Sequence, residues 1–216
     1  DDAGADRHYT EAFREHGVEI DEWPAERAIA GLKARPALAV PLAAALDNWV
    51  GARFRISKDN VAGQKRLMAV ARGIDPDPLR EQLRATWGQA VTPTLQAELR
   101  RLAESIDVRG QHPATLVSLA RTLRRTDSVI PMLHQAQAEH PGDFWVNFTL
   151  GILLGERKDH AGAMRFYTGA LAIRPNSSAA HNNLGTSLHD QKKMDEAIAC
   201  LRKAIELDPK LGLAHN

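Results

Sequence analysis

The residues best able to do chemistry in this chain are few and scattered. Nine histidines are spread along 216 residues. No two stand at a metal-ligand spacing with a third in support, so no metal site is expected. None of the spacings that build a nucleophile elbow, a phosphate-cradling glycine loop, a zinc-binding helix or a paired-cysteine centre occurs. We therefore assign no catalytic residue, no cofactor and no enzymatic activity. The single cysteine, Cys200, excludes an internal disulfide and suits a reducing compartment. On a helix it serves as a small packing residue. What remains is the chemistry of recognition. Arg121 and Arg124 are placed either to grip a carboxylate or phosphate bidentately or to form a solvated helix face. Asn182 and Asn183 carry amides that donate and accept together, which suits the backbone of an extended peptide.

The elements that position these residues are written in a repeat. Leu150-Gly151, Leu154, Ala163, Tyr167, Ala170 and Pro175 become, 34 residues later, Leu184-Gly185, Leu188, Ala197, Leu201, Ala204 and Pro209. A period of this size belongs to a helix–turn–helix unit. Gly151 and Gly185 fall mid-helix, where glycine costs about 1 kcal/mol against alanine, so a close backbone approach of the paired helix is expected there. Alanines at i and i+7 on the second helices serve the same contact. Pro175 and Pro209 end the helices before them. His181 and His215 are also 34 apart, so repetition explains them before catalysis does.

This pattern resembles the tetratricopeptide repeat: Leu-Gly in a first helix, Ala, a bulky residue and Ala in a second, then Pro. The resemblance implies an all-α, right-handed solenoid of αα-hairpins, TPR-like, that binds proteins through a concave groove lined by first helices. The groove places it implies are Val117, Arg121 and Arg124; then Trp145, Phe148, Thr149 and Ile152; then Asn182, Asn183, Thr186 and His189. They grade from basic through apolar to amide-lined. Trp145 and Phe148 either contact a ligand or pack on the preceding hairpin. Asn183 stands just before Leu-Gly, a place that resembles the asparagine ladder of superhelical members, with Thr149 replacing it one repeat earlier. The family's usual first-helix Tyr and Trp are missing, and Asn147 and His181 occupy the early position. The lysine–asparagine clamp for chaperone tails is absent, so no chaperone C-terminus is expected as ligand.

The rest of the chain is helical but less regular. It is 44% hydrophobic and 25% charged with a net charge of +1, which argues for neither nucleic acid nor an acidic partner. No apolar run approaches the ~20 residues of a membrane span. Residues 1–26 hold nine acidic residues against Arg7 and Arg14, and residues 27–74 hold nine basic ones against Asp47 and Asp59. The two blocks either lie against each other or face separate solvent regions. Helices are expected at Tyr9–His16, Ala25–Ala34, Ala37–Phe54, Val61–Arg72, Pro78–Trp87 and Thr94–Ile106, with Pro24 opening the second. Alanines 204, 170, 136, 103 and 71, in steps of 34, 34, 33 and 32, suggest five stacked hairpins with the first two degenerate. In the hairpin before the regular pair, Leu119-Ala120, Val129, Leu133, Ala136 and Pro141 follow in order. Its inter-helix turn is expected to be about three residues short, with Pro131 in the first turn of its second helix.

These readings divide the chain into an acidic capping segment (1–36), degenerate hairpins (37–108) and three regular hairpins (109–216). Ala214-His215-Asn216 echoes Ala180-His181-Asn182, so a further repeat is expected to begin there, as in a piece of a larger protein. The acidic helix, the Trp23-Pro24 link and the Ala/Arg-rich segment before the repeats resemble, more weakly, the region after the kinase domain in large bacterial serine/threonine kinases. That implies a cytoplasmic docking or regulatory arm. The expected partner is a protein or peptide segment. The rival is self-assembly through Leu201, Ile205, Leu211 and Leu213, and nucleic-acid binding by the block 27–72 is the outside alternative.

Overall fold

Prolines and short polar side chains punctuate the chain, and nearly everything between them is helix. The computed structural model describes residues 2–56, 61–86, 92–124, 126 and 128–209. Among them are twelve α-helices and no strand: α1 (Asp2–Glu15), α2 (Ala25–Lys33), α3 (Ala39–Ile56), α4 (Val61–Ile74), α5 (Pro78–Ala85), α6 (Pro93–Ser105), α7 (Pro113–Thr122), α8 (Val129–Glu139), α9 (Phe144–Glu156), α10 (His160–Ile173), α11 (Ser178–Asp190) and α12 (Met194–Leu207). Asp77, Asp143, Asp159 and Ser177 each cap a helix by accepting a backbone N–H three residues on. The helices form two compact units that divide between Thr92 and Pro93. Trp87, Arg125, Leu211, Leu213 and the echo at 214–216 lie outside the described residues.

In the first unit α3 pairs with α4, α1 packs on α3 and α2 packs on α4. Pro24 caps α2 from outside rather than opening it. The charge blocks do meet. Arg53 donates to Asp6 at 2.6 Å and to both oxygens of Asp21 at 2.7 and 2.6 Å. Its guanidinium lies 4.5 Å from the centre of the Trp49 ring, which stacks with Tyr9 and with Phe13. Partial burial pushes the Asp6 carboxyl up, but bonds from Arg53 and Trp49 hold it below its usual range. Arg66 donates to the carbonyls of Asp21 and Trp23, and Arg72 to Glu81. These three arginines of the basic block are thus engaged within the chain.

The short α5 is held by arginines. Arg84, fully buried, donates to both oxygens of Asp47 at 2.9 and 3.2 Å, to the Asp75 carbonyl at 3.2 Å and to Glu81 at 2.6 Å. Arg80 pairs with the buried Asp75 carboxylate. Burial pushes Asp47 up to about 6, from an ordinary value of 3.8, despite the Arg84 partner. Between those values the folded chain holds a proton that the unfolded chain has released. This group's contribution to stability is therefore full below about pH 4 and is lost as pH rises through about 6.

The second unit is a run of hairpins. α9 and α10 recur as α11 and α12 with every boundary displaced by 34 residues. Both turns place a lysine in the left-handed region, Lys158 at φ 64° and Lys192 at φ 61°. Both close with the next N–H on the carbonyl of Leu154 or Leu188 at 3.0 Å. All five alanines of the fainter series are buried, Ala71 in the first unit and the others in the second. α6 packs against α7 and α8. The α7–α8 hairpin departs from expectation: its turn is longer, not shorter. α7 has 10 residues against 13 in α9, α8 has 11 against 14 in α10, and the turn runs from Leu123 to Ser128.

The mid-helix glycines admit contacts of two kinds. A Cβ on Gly151 would overlap the Tyr167 ring, with Cδ1 at 2.6 Å, so there the close approach is by a side chain. At Gly185 it would meet Leu201 at 2.8 Å and the Ala197 carbonyl at 3.2 Å, a true backbone approach.

Two outcomes follow. Against Asp47→Asn, the wild type loses up to about 3 kcal/mol of relative unfolding free energy as urea titrations move from pH 4 to pH 6.5. Gly151→Ala lowers stability by about 1–3 kcal/mol despite better helix propensity, because the Tyr167 ring has to shift; an unchanged urea midpoint would remove that contact from the account.

Candidate partner-binding face

The face that could hold a partner is built on α9, whose sequence is apolar almost all round because neighbours cover most of it. Phe144, Val146, Leu150, Leu153 and Leu154 are buried, with α10 on one side and α7 and α8 on another. Asn147, also buried, donates to the carbonyls of Pro141 at 3.0 Å and Asp143 at 2.8 Å. One period later His181 bonds the Pro175 carbonyl at 2.9 Å through Nε2. Both residues therefore lock the proline turn onto the helix that follows it. The signal is present in the sequence, since each stands six residues after its proline, but a search for the family's aromatic at that position passes over it.

Three large apolar side chains of α9 stay outward. Trp145, Phe148 and Ile152 fall at i, i+3 and i+7 and make one stripe. Trp145 is 39% exposed, and Phe148 and Ile152 are half-buried. Phe148 stacks on Phe144 at 5.4 Å and meets Trp145 edge-on at 6.1 Å. The Arg174 guanidinium lies 4.6 Å from the Phe144 ring centre and 5.6 Å from that of Trp145, on the N-terminal side of the stripe.

Neighbouring helices flank this stripe with polar groups. On α11, Asn182 and Asn183 are half-buried and Thr186 and His189 are exposed. Asn182 donates to Asn183 at 3.4 Å, and the Thr186 hydroxyl donates to the Asn182 carbonyl at 3.0 Å. Asn183 also bonds the Tyr167 hydroxyl, whose phenol is pushed up to about 12 by burial against that bond's pull. On the α7 side Arg121 and Arg124 are exposed, and Arg124 pairs with Glu156. Arg157 donates to the carbonyls of Leu153, Thr126 and Arg124 at 3.0, 2.6 and 3.3 Å, which anchors the long α7–α8 turn to the end of α9.

Two expected groove residues are turned inward. Thr149 is 4% exposed and Val117 6%. Consecutive helical residues point about 100° apart, so with Phe148 outward Thr149 faces the packed side. The other expected residues are exposed or half-buried.

Residues 178–211 match the family model of the tetratricopeptide repeat. The chain carries a tetratricopeptide repeat at these residues. A 64-residue segment of the chain is 36% identical to the peroxisomal targeting signal receptor of Eremothecium gossypii. That segment is 30% of this chain but spans only 11% of the receptor's length. Among solved structures, the repeat protein is similar to a point mutant of MamA at 26% identity, covering 60% of this chain and 94% of that one, with a TM-score of 0.43. It is also similar to a crystal structure of MamA (18% identity, 81% and 94% covered, TM-score 0.48). A third is YrrB, described as a TPR protein with an unusual peptide-binding site (16% identity, 95% of each chain, TM-score 0.48). No single helix among the described residues is long and apolar enough to cross a membrane.

Tyr167→Phe removes the bond to Asn183 while keeping the ring on Gly151. It costs about 1 kcal/mol in urea denaturation, and a cost near zero would show that the hydroxyl does not tie α10 to α11.

Proposed function

We propose that the α7–α9–α11 face of this repeat protein binds a segment of a partner protein, in extended or helical form. The observation that supports this best is the outward stripe Trp145–Phe148–Ile152. A tryptophan left 39% exposed on a helix otherwise packed on most sides is an anchor of the kind that dominates binding energy. Polar groups on both sides suit the ends and backbone of such a segment. Arg121 meets a carboxylate, and Asn182 and Thr186 offer donors and acceptors. The receptor that matches 64 residues of the chain is named for a targeting signal, which supports recognition of a short segment. The finer assignment is a docking or regulatory part of a larger protein in the cytoplasm, with a kinase domain as the candidate neighbour. It rests on the order of the acidic helix, the Trp23-Pro24 link and the helical segment ahead of the repeats.

The test is selection of peptides from a displayed random library on the folded chain, followed by titration of a selected peptide with Trp145 fluorescence as readout. Trp145→Ser, followed by calorimetry, and Ile152→Ser each weaken that peptide at least ~10-fold, while the far-ultraviolet spectrum stays helical. A selected peptide that binds both variants as tightly as the wild type places the site elsewhere.

A further inference from the structure

The corner between Phe144 and Trp145 holds a positive charge that no carboxylate answers. The two rings stand edge to face, their centres 5.1 Å apart and their planes at 80°. The Arg174 guanidinium lies within 6 Å of both centres, at 4.6 and 5.6 Å. Arg174 is exposed, and no ion pair involves it among the described residues. A guanidinium held over an aromatic face still donates in its own plane, where it fits a carboxylate with two parallel bonds. Neither the ring nor the cation is called for by the repeat. Counted from the Leu-Gly pair, Trp145 becomes Ala114 on α7 and Ala179 on α11. Arg174 becomes His140 one period earlier and Asp208 one period later. Two departures from the repeat therefore meet at one point, at the end of the one outward aromatic stripe of α9.

We propose that the partner segment is acidic, with an Asp or Glu side chain on Arg174 beside a bulky apolar side chain on Trp145 and Phe148. This rests on the binding role given to the α9 face above and adds the chemistry that the face selects. Charge and shape together argue for a side-chain carboxylate. Phosphates are taken by clusters of arginines, and chain-terminal carboxylates by nests of backbone N–H groups. Here one guanidinium lies on the ring pair among the described residues, and the Val146 N–H at the adjacent helix start is already held by Asp143 at 2.8 Å. The 5.6 Å between cation and indole centre also sets the spacing within the segment. In an extended chain, at ~3.3 Å per residue, the acid stands one or two places from the apolar anchor. In a helical one it stands three or four places away.

The probe is a peptide selected on the folded chain from a displayed random library, synthesised with both ends blocked and titrated by calorimetry. The expected sequence has Asp or Glu at one of those spacings from a bulky apolar residue. Arg174→Gln weakens it ~3-fold, and Arg174→Glu ~10-fold or more by opposing like charges. Changing the peptide's acid to its amide weakens binding to the wild type ~3-fold but costs nothing further on Arg174→Gln, because both changes remove the same pair. Changing that acid to Lys restores binding to Arg174→Glu. Arg174 is exposed, so the far-ultraviolet spectrum of both variants stays helical. A peptide weakened by Trp145→Ser yet indifferent to Arg174→Glu overturns the acidic assignment and leaves the α9 face standing. One indifferent to both overturns the face and the assignment together. Selected peptides without an acid at these spacings, or two losses that simply add, also overturn the assignment. So does binding that needs a free C-terminus, or that tightens more than ~10-fold when phosphoserine replaces the acid, by giving the corner to a chain end or to a phosphate.

Discussion

Tyr167 lying where a side chain on Gly151 would be is the contact on which the second unit turns. Glycine mid-helix forfeits about 1 kcal/mol of propensity, and that loss admits an aromatic ring whose burial is worth more. The ring then reaches in three directions. It presses on the α9 backbone at Gly151, meets Phe148 at 5.9 Å and sends its hydroxyl to Asn183 on α11. One side chain of a second helix therefore sets the spacing of two first helices, and those carry the outward stripe and the amides. Leu201 repeats the arrangement on Gly185 with a smaller side chain and no hydroxyl. Leu201 is half-buried, whereas α11 packs against α10 and Tyr167 is buried.

Much of this is legible without any coordinates. The 34-residue period carries the boundaries of α9 to α12 because caps, turns and packing positions recur together, so each copy checks the other. Legibility falls where that redundancy fails. In the α7–α8 hairpin the net loss of three residues is visible, but the spacing of apolar positions does not say whether helix or turn gives them up. The chain shortens both helices and lengthens the turn, which adds little closure cost, and the Arg157 bonds to Thr126 and Arg124 hold the result. Thr149 is misplaced by the motif for a rotational reason. A motif matched by position counts neighbours alike, whereas the helix turns adjacent residues to different faces.

The first unit shows the same limit for charges. Opposed acidic and basic blocks are plain in the sequence, yet the pairs that form join residues 47 and 32 apart, Arg53 with Asp6 and with Asp21. No local pattern specifies such partners. Arg84 is further from expectation still, since a fully buried arginine on an eight-residue helix has no periodic signature. Its role emerges only when Asp47, Asp75 and Glu81 are seen around it. Breaking such a buried cluster costs far more than forming it gains, so the cluster acts to hold α5 in one place more than to add stability.

The outward stripe of α9 has Arg121 on one flank and Asn182 and Thr186 on the other. A segment laid along it would meet a guanidinium, an aromatic pair and side-chain amides in turn. Recognition there would read a sequence of chemistries rather than a single apolar patch.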